Sequence, residues 1–171
     1  MKKYLETSLC KICQLTGVLC SSCEEKLRDN EITKLDVDIS IYLGQKTRGR
    51  KEYNKYKFNK ALYIEDYLVL VFEGEINKAI KNDKEKIFKE MEEKFRVKVF
   101  VVEQQENLRK FIEKLFYPIQ VKALNMIWIP DGSVETKVIL GGRIGKKRIN
   151  LMNKITKKIK NIEIQAEYQQ K

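Results

Sequence analysis

The chain has 171 residues, carries 35 Lys and Arg against 24 Asp and Glu for a formal net charge of +11, and contains no histidine. The missing imidazole excludes Ser/His/Asp and Cys/His catalysis, histidine proton shuttles and every histidine metal site, so no enzyme is expected. No apolar run approaches the roughly 18–20 residues of a membrane span, and Met1–Glu6 lack the apolar stretch of a signal peptide, which leaves a cytoplasmic protein without a membrane or small-molecule partner as the expectation.

The charge has a place. Residues 1–60 hold 13 basic and 8 acidic groups, 61–121 hold 11 and 12, and 122–171 hold 11 and 4. Within 141–160 there are eight basic groups and no acid. A neutral middle between basic ends favours a surface directed at a polyanion over a uniform solubilising coat.

In chain order, the first feature is Cys10-Lys11-Ile12-Cys13, followed by Cys20-Ser21-Ser22-Cys23; these are the chain's four cysteines. Two CxxC turns bring four thiolates to one ion and complete a tetrahedron, with Gly17 placed for the bend between them. Two disulfides would not persist in the cytosol, and one redox pair would need only two cysteines. Iron remains compatible with the spacing; structural zinc is favoured. With all four positions filled, the site is closed and not catalytic.

A helix is expected from Asn30 as N-cap, with Ile32, Leu35, Ile39 and Leu43 on one face and Gly44 as the stop. Residues 45–59 then form a basic linker with interleaved aromatics. Strands are expected at 60–65 and 67–72, a short helix at 75–80, a helix at 84–95 facing inward through Ile87, Phe88, Met91 and Phe95, and a strand through Val97, Val99 and Val101. The order then recurs. Residues 105–116 read as a helix with Leu108, Phe111, Ile112, Leu115 and Phe116 at helical spacing, ended by Pro118. Residues 123–129 and 134–140 read as a hairpin around Pro130-Asp131-Gly132-Ser133, with Trp128 placed in the core. A basic loop, a helix near 149–160 and a strand over 162–168 complete the chain. Ile87-Phe88-Met91-Phe95 and Leu151-Met152-Ile155-Ile159 share one spacing, 64 residues apart.

The order helix–strand–strand–helix–helix–strand is that of a type II KH module, in which helices cover one face of a three-stranded sheet. The expected fold is therefore α+β, with a zinc knuckle over 1–29, a first KH-like module over 30–104 that includes the linker 45–59, and a second over 105–171. Phe111–Val121 resembles the junction between the tandem KH modules of NusA, a transcription elongation factor. The cysteine pattern with the following helix, and Trp128–Ser133, are similar to archaeal NusA-like KH proteins with a short zinc-binding head. The resemblance implies RNA binding beside a GxxG loop, where glycine lets the backbone meet phosphates.

In the first module that loop position falls on Ile80–Ile87, where Lys81 and Lys84 stand in place of both glycines. In the second, Gly142-Arg143-Ile144-Gly145 satisfies GxxG; alternatively Gly145-Lys146-Lys147-Arg148 forms the loop. The expected mechanism is binding of RNA phosphates by Arg143, Lys146, Lys147 and Arg148, continued by Lys154, Lys157 and Lys158 along the helix. Further contacts are expected from Arg48, Arg50, Lys51, Tyr53 and Tyr56, the tyrosines either stacking on bases or packing on the core. The partner is RNA together with RNA polymerase; a ribosome-associated protein and a protein–protein adaptor with vestigial KH cores are the alternatives.

Overall fold

The chain begins its regular structure with two short helices, each opening directly after a cysteine: α1 (Lys11–Thr16) with N-cap Cys10 and α2 (Ser21–Arg28) with N-cap Cys20. Gly17 ends α1 at φ 78°, the left-handed conformation that glycine adopts without a steric penalty. The computed structural model describes residues 4–77 and 84–168. Among these, the architecture is α+β, with two three-stranded sheets and six α-helices, and no helix is long and apolar enough to cross a membrane.

The chain divides into two compact units, Met1–Gln104 and Gln105–Lys171. In the first, α3 (Lys34–Lys46) is followed by β1 (Lys57–Ile64), β2 (Tyr67–Glu73), α4 (Lys84–Phe95) and β3 (Lys98–Gln104). β1 pairs antiparallel with β2, and β2 pairs parallel with β3. In the second, α5 (Leu108–Phe116) precedes β4 (Val121–Trp128), β5 (Val134–Leu140), α6 (Lys146–Lys160) and β6 (Ile164–Tyr168). The strand order and senses repeat, β4 antiparallel to β5 and β5 parallel to β6. Each unit's first strand also bulges near its start, at Asn59 and at Lys122. A bulge bends and twists a strand, so its recurrence extends the internal repeat from apolar spacing to backbone geometry.

Helix α3 starts three residues later than expected. Thr33 is its N-cap, in a capping box with Asp36. Asn30 instead sits at φ 58° just beyond α2, and its left-handed turn lets the Glu31 N–H bond the Lys26 carbonyl at 2.9 Å. Asp36 does more than cap: its Oδ1 accepts the Ala61 N–H at 2.6 Å, fastening the start of α3 to β1. Gly44 does not stop the helix, which runs on to Lys46. It leaves room for Gln14, a buried side chain of α1 whose Nε2 donates to the Leu5 carbonyl at 2.9 Å.

A methyl at position 44 would stand 2.7 Å from Gln14 Nε2 and 2.8 Å from its Cδ. In a free helix Gly→Ala stabilises by up to about 1 kcal/mol; here the expected sign is reversed. Gly44→Ala should destabilise by about 1–3 kcal/mol through overpacking, seen as a lower Tm in calorimetry. Adding Gln14→Ala should recover part of the loss, and a raised Tm in the single variant would refute the close-packing account.

Helix α3 packs on both sides. Ile39, Tyr42 and Leu43 join Leu68, Leu70, Phe72, Ile87, Phe88 and Met91 in the core of the sheet unit. Val37 joins Leu9, Cys13, Cys23 and Ile32 around the cysteines, with Ile41 packed alongside. The short helix expected at 75–80 begins with Ile76 and Asn77; its remaining residues lie outside the described ones. In the second unit Phe111, Ile112, Leu115 and Phe116 are buried as their spacing requires.

Two expectations about aromatic residues change. Tyr53 is a core residue, 2% exposed, so its ring has no face for a base. Tyr56 is half-buried and packs over Gly74, where a Cβ would lie 2.9 Å from its Cδ1. Packing accounts for the Tyr53 ring and for part of the Tyr56 ring. Trp128, expected in the core, is 74% exposed. The reason is strand length: β6 begins opposite Thr136, so Trp128 and its partner Val134 project beyond the third strand. The turn that follows is held by Asp131, which accepts from the Ser133 hydroxyl at 2.6 Å and its N–H at 2.8 Å. These two bonds, the hydroxyl's first, hold its carboxyl below the ordinary carboxylate range.

Candidate functional site

Two groups of residues carry chemistry. The first is the cysteine cluster. The four sulfurs of Cys10, Cys13, Cys20 and Cys23 all lie within 4.8 Å of one another, with Cys10 and Cys13 at 3.3 Å and Cys10 and Cys20 at 4.0 Å. Four thiolates about 2.3 Å from one tetrahedral ion would be about 3.8 Å apart, so the cluster has the dimensions of a metal site. None of the four is in a disulfide.

The backbone is arranged for the same purpose. The Cys20 N–H donates to Cys13 Sγ at 3.0 Å, and the Cys10 N–H points to Cys23 Sγ at 3.5 Å. Each motif's leading amide thus serves the other motif's trailing sulfur. Both motifs open a helix, whose N-terminal N–H groups favour negative charge. The Cys13 N–H pulls the Cys10 thiol down to about 7, and the Cys23 N–H lowers that of Cys20. Burial pushes Cys13 up to about 12 and raises Cys23. The exposed pair is thus shifted toward the thiolate and the buried pair away from it. A metal ion held by all four would favour the thiolate at each position.

The second group surrounds the turn between β5 and α6. Helix α6 begins at Lys146, three residues before the expected start, with Gly145 as N-cap and no side-chain cap. Lys146, Lys147 and Arg148 therefore form its first turn, and the alternative loop Gly145–Arg148 does not exist as a loop. Gly142-Arg143-Ile144-Gly145 is the connection itself. Neither glycine has a positive φ, and a Cβ at Gly145 would meet nothing within 4 Å. Gly145 leaves open space in front of the helix start, whereas a Cβ at Gly142 would rest in ordinary contact 3.6 Å from Ile119 Cγ2; neither position answers a conformational need. The Tyr168 hydroxyl, which donates to the Ile144 carbonyl and accepts its N–H at 3.3 Å, braces the connection.

Along α6 the cations divide by role. At about 100° per residue, Lys146, Lys147, Lys154, Lys157 and Lys158 fall within about 120° of arc, adjoining the arc that carries the buried Leu151, Ile155 and Met152. All five are exposed. Lys157 is paired with Glu163. Lys160, off this face, bonds the Gln105 carbonyl and lies 5.2 Å over the Phe111 ring. Arg148 donates to the Tyr117 carbonyl at 3.1 Å, so part of its hydrogen-bonding capacity is structural. Arg143 is exposed on the connection. Of the remaining expected contacts, Arg48 and Lys51 are exposed and Arg50 is half-buried. Lys81 and the Lys84 side chain lie outside the described residues.

Sequence reasoning missed Tyr117, 69% exposed at the end of α5. It falls just after the apolar periodicity ends, which is the one signal that marks it as outside the core.

No family model matches the chain, and no curated protein matches it. A solved structure, "Crystal structure of APE1850", is similar with a TM-score of 0.54 and 19% identity over 64% of this chain and 84% of that one. At that identity the likeness is one of fold.

Proposed function

We propose that the chain is an RNA-binding protein of the NusA-like KH type, not an enzyme, with a zinc-stabilised head and two KH-like modules, acting with the transcription machinery. The observation that carries this reading is the basic face of α6, exposed along a helix of 15 residues that starts without a side-chain cap in a stretch with no acid from 141 to 160. Such a face neutralises successive phosphates, and the open helix start adds N–H groups that attract an anion. Element order supports the KH reading: helix–strand–strand–helix–strand recurs in both units, with Ile76 and Asn77 opening a further helix in the first. The second unit departs from the KH order, since β5 passes to α6 without an intervening helix. Four thiolates in tetrahedral reach favour zinc over harder cations.

Sedimentation of the tagged protein from its host's lysate at low salt is expected to recover it with RNA polymerase. Recovery with ribosomal subunits would move the reading to a fixed rRNA site. Recovery with neither, combined with no affinity for RNA, would leave the adaptor.

A further inference from the structure

Tyr117 is set apart from the residues before it. Phe111, Ile112, Leu115 and Phe116 are buried, whereas Tyr117 is 69% exposed. Its backbone is nevertheless held in place: the N–H bonds the Lys114 carbonyl, and the carbonyl accepts from Arg148 Nη2 at 3.1 Å. That second bond ties the residue to Arg148 in the first turn of α6. The nearby connection is braced in turn by Tyr168. Three acidic groups of this unit are already paired, Glu113 with Arg109, Glu163 with Lys157 and Glu167 with Lys137. An exposed aromatic side chain is therefore carried on a backbone tethered to Arg148 at the start of α6.

We propose that Tyr117 is the stacking platform for an unpaired base whose flanking phosphates lie on the first turn of α6. This deepens the RNA-binding reading and rests on it. Phosphate contacts supply affinity without distinguishing single strands from duplexes, whereas an aromatic face accepts any base that is free to unstack. The ligand class is accordingly single-stranded RNA. Trp128 cannot take the same base. It lies at the far end of β4 from Val121, which pairs with Leu140 beside the turn, about 23 Å away at roughly 3.3 Å per residue.

The test compares the full chain with Tyr117→Leu and Tyr117→Phe against three probes of about 12 nucleotides: single-stranded RNA carrying 2-aminopurine, an abasic strand and an RNA duplex. Tyr117→Leu should weaken single-strand binding about 10-fold and abolish quenching of the 2-aminopurine, with the abasic and duplex affinities unchanged. Tyr117→Phe should keep both affinity and quenching. Unchanged single-strand binding in Tyr117→Leu would overturn the stacking role while RNA binding itself stands. An equal loss toward all three probes would also overturn it and make Tyr117 a framework residue. If the unmodified chain binds none of the probes, the RNA-binding reading fails, and this proposal with it.

Discussion

Removing the metal is expected to unfold the N-terminal head while residues 105–171 stay folded. Helices α1 and α2 have 6 and 8 residues, below the roughly 12–15 at which an isolated helix is even marginal in water. Their apolar cluster is small, centred on Leu9, Cys13, Cys23, Ile32 and Val37. Structural zinc binding is worth about 10–16 kcal/mol in small peptides near neutral pH, comparable to the whole stability of an ordinary domain. A bound zinc would therefore outweigh the local packing. Chelation should remove about one zinc per chain and erase hydrogen-exchange protection over α1 and α2. Cys10→Ser with Cys20→Ser is the cleaner variant, because both positions are exposed and a serine there remains solvated. At Cys13 or Cys23 a buried hydroxyl would add its own cost. Persistent protection of α1 and α2 after chelation would show that the cluster is not the structural support of the head.

Reversing charge on the basic face of α6 is expected to weaken RNA binding by about 100-fold near 0.1 M salt. The variant is Lys146→Glu, Lys147→Glu and Lys158→Glu. Each phosphate contact on a single strand contributes about 0.7 to the slope of log affinity against log salt, so three lost contacts should flatten that slope by about 2. Arg148 is left intact because it holds the Tyr117 carbonyl, and Lys157 because it is paired with Glu163. A control reversing Lys34, Lys89 and Lys98, all exposed in the first unit, makes the same change in net charge. Equal losses in the two variants would make the effect one of overall charge. Unchanged affinity and slope in the α6 variant would remove this face from RNA binding.

Much of the architecture was legible wherever a periodic signal coincided with burial. The spacing of Leu108, Phe111, Ile112, Leu115 and Phe116 marks one face of α5, and four of the five are buried. Inward positions of α4 and the recurring order of elements were legible for the same reason. The cysteine spacing specified a four-sulfur cluster because two CxxC turns have few other ways to satisfy four thiols at once. Misreadings occurred where one residue type serves opposite ends. Asn30 and Gly44 both look like helix punctuation. Asn30 in fact closes the preceding helix through a left-handed turn, and Gly44 makes room for a neighbouring side chain. The true N-cap signal, Thr33 followed by Asp36, was present in the chain but was outcompeted by a more familiar capping residue three positions earlier.

Aromatic residues divided less well, because a ring carries no mark of which side of a surface it will occupy. Tyr53 sits in a basic linker and is buried; Trp128 sits in an apolar strand and is exposed. Composition and local spacing by themselves determined the α+β class, the repeat, the cysteine cluster and the basic stretch of 141–160, since each depends on residues close in the chain. Only the tertiary structure decided which lysines share the open face of α6, which cations are already paired, and that the Tyr117 carbonyl meets Arg148. Those outcomes depend on where strands end and which distant backbone groups, such as the Tyr117 carbonyl and the Arg148 guanidinium, come within hydrogen-bonding distance.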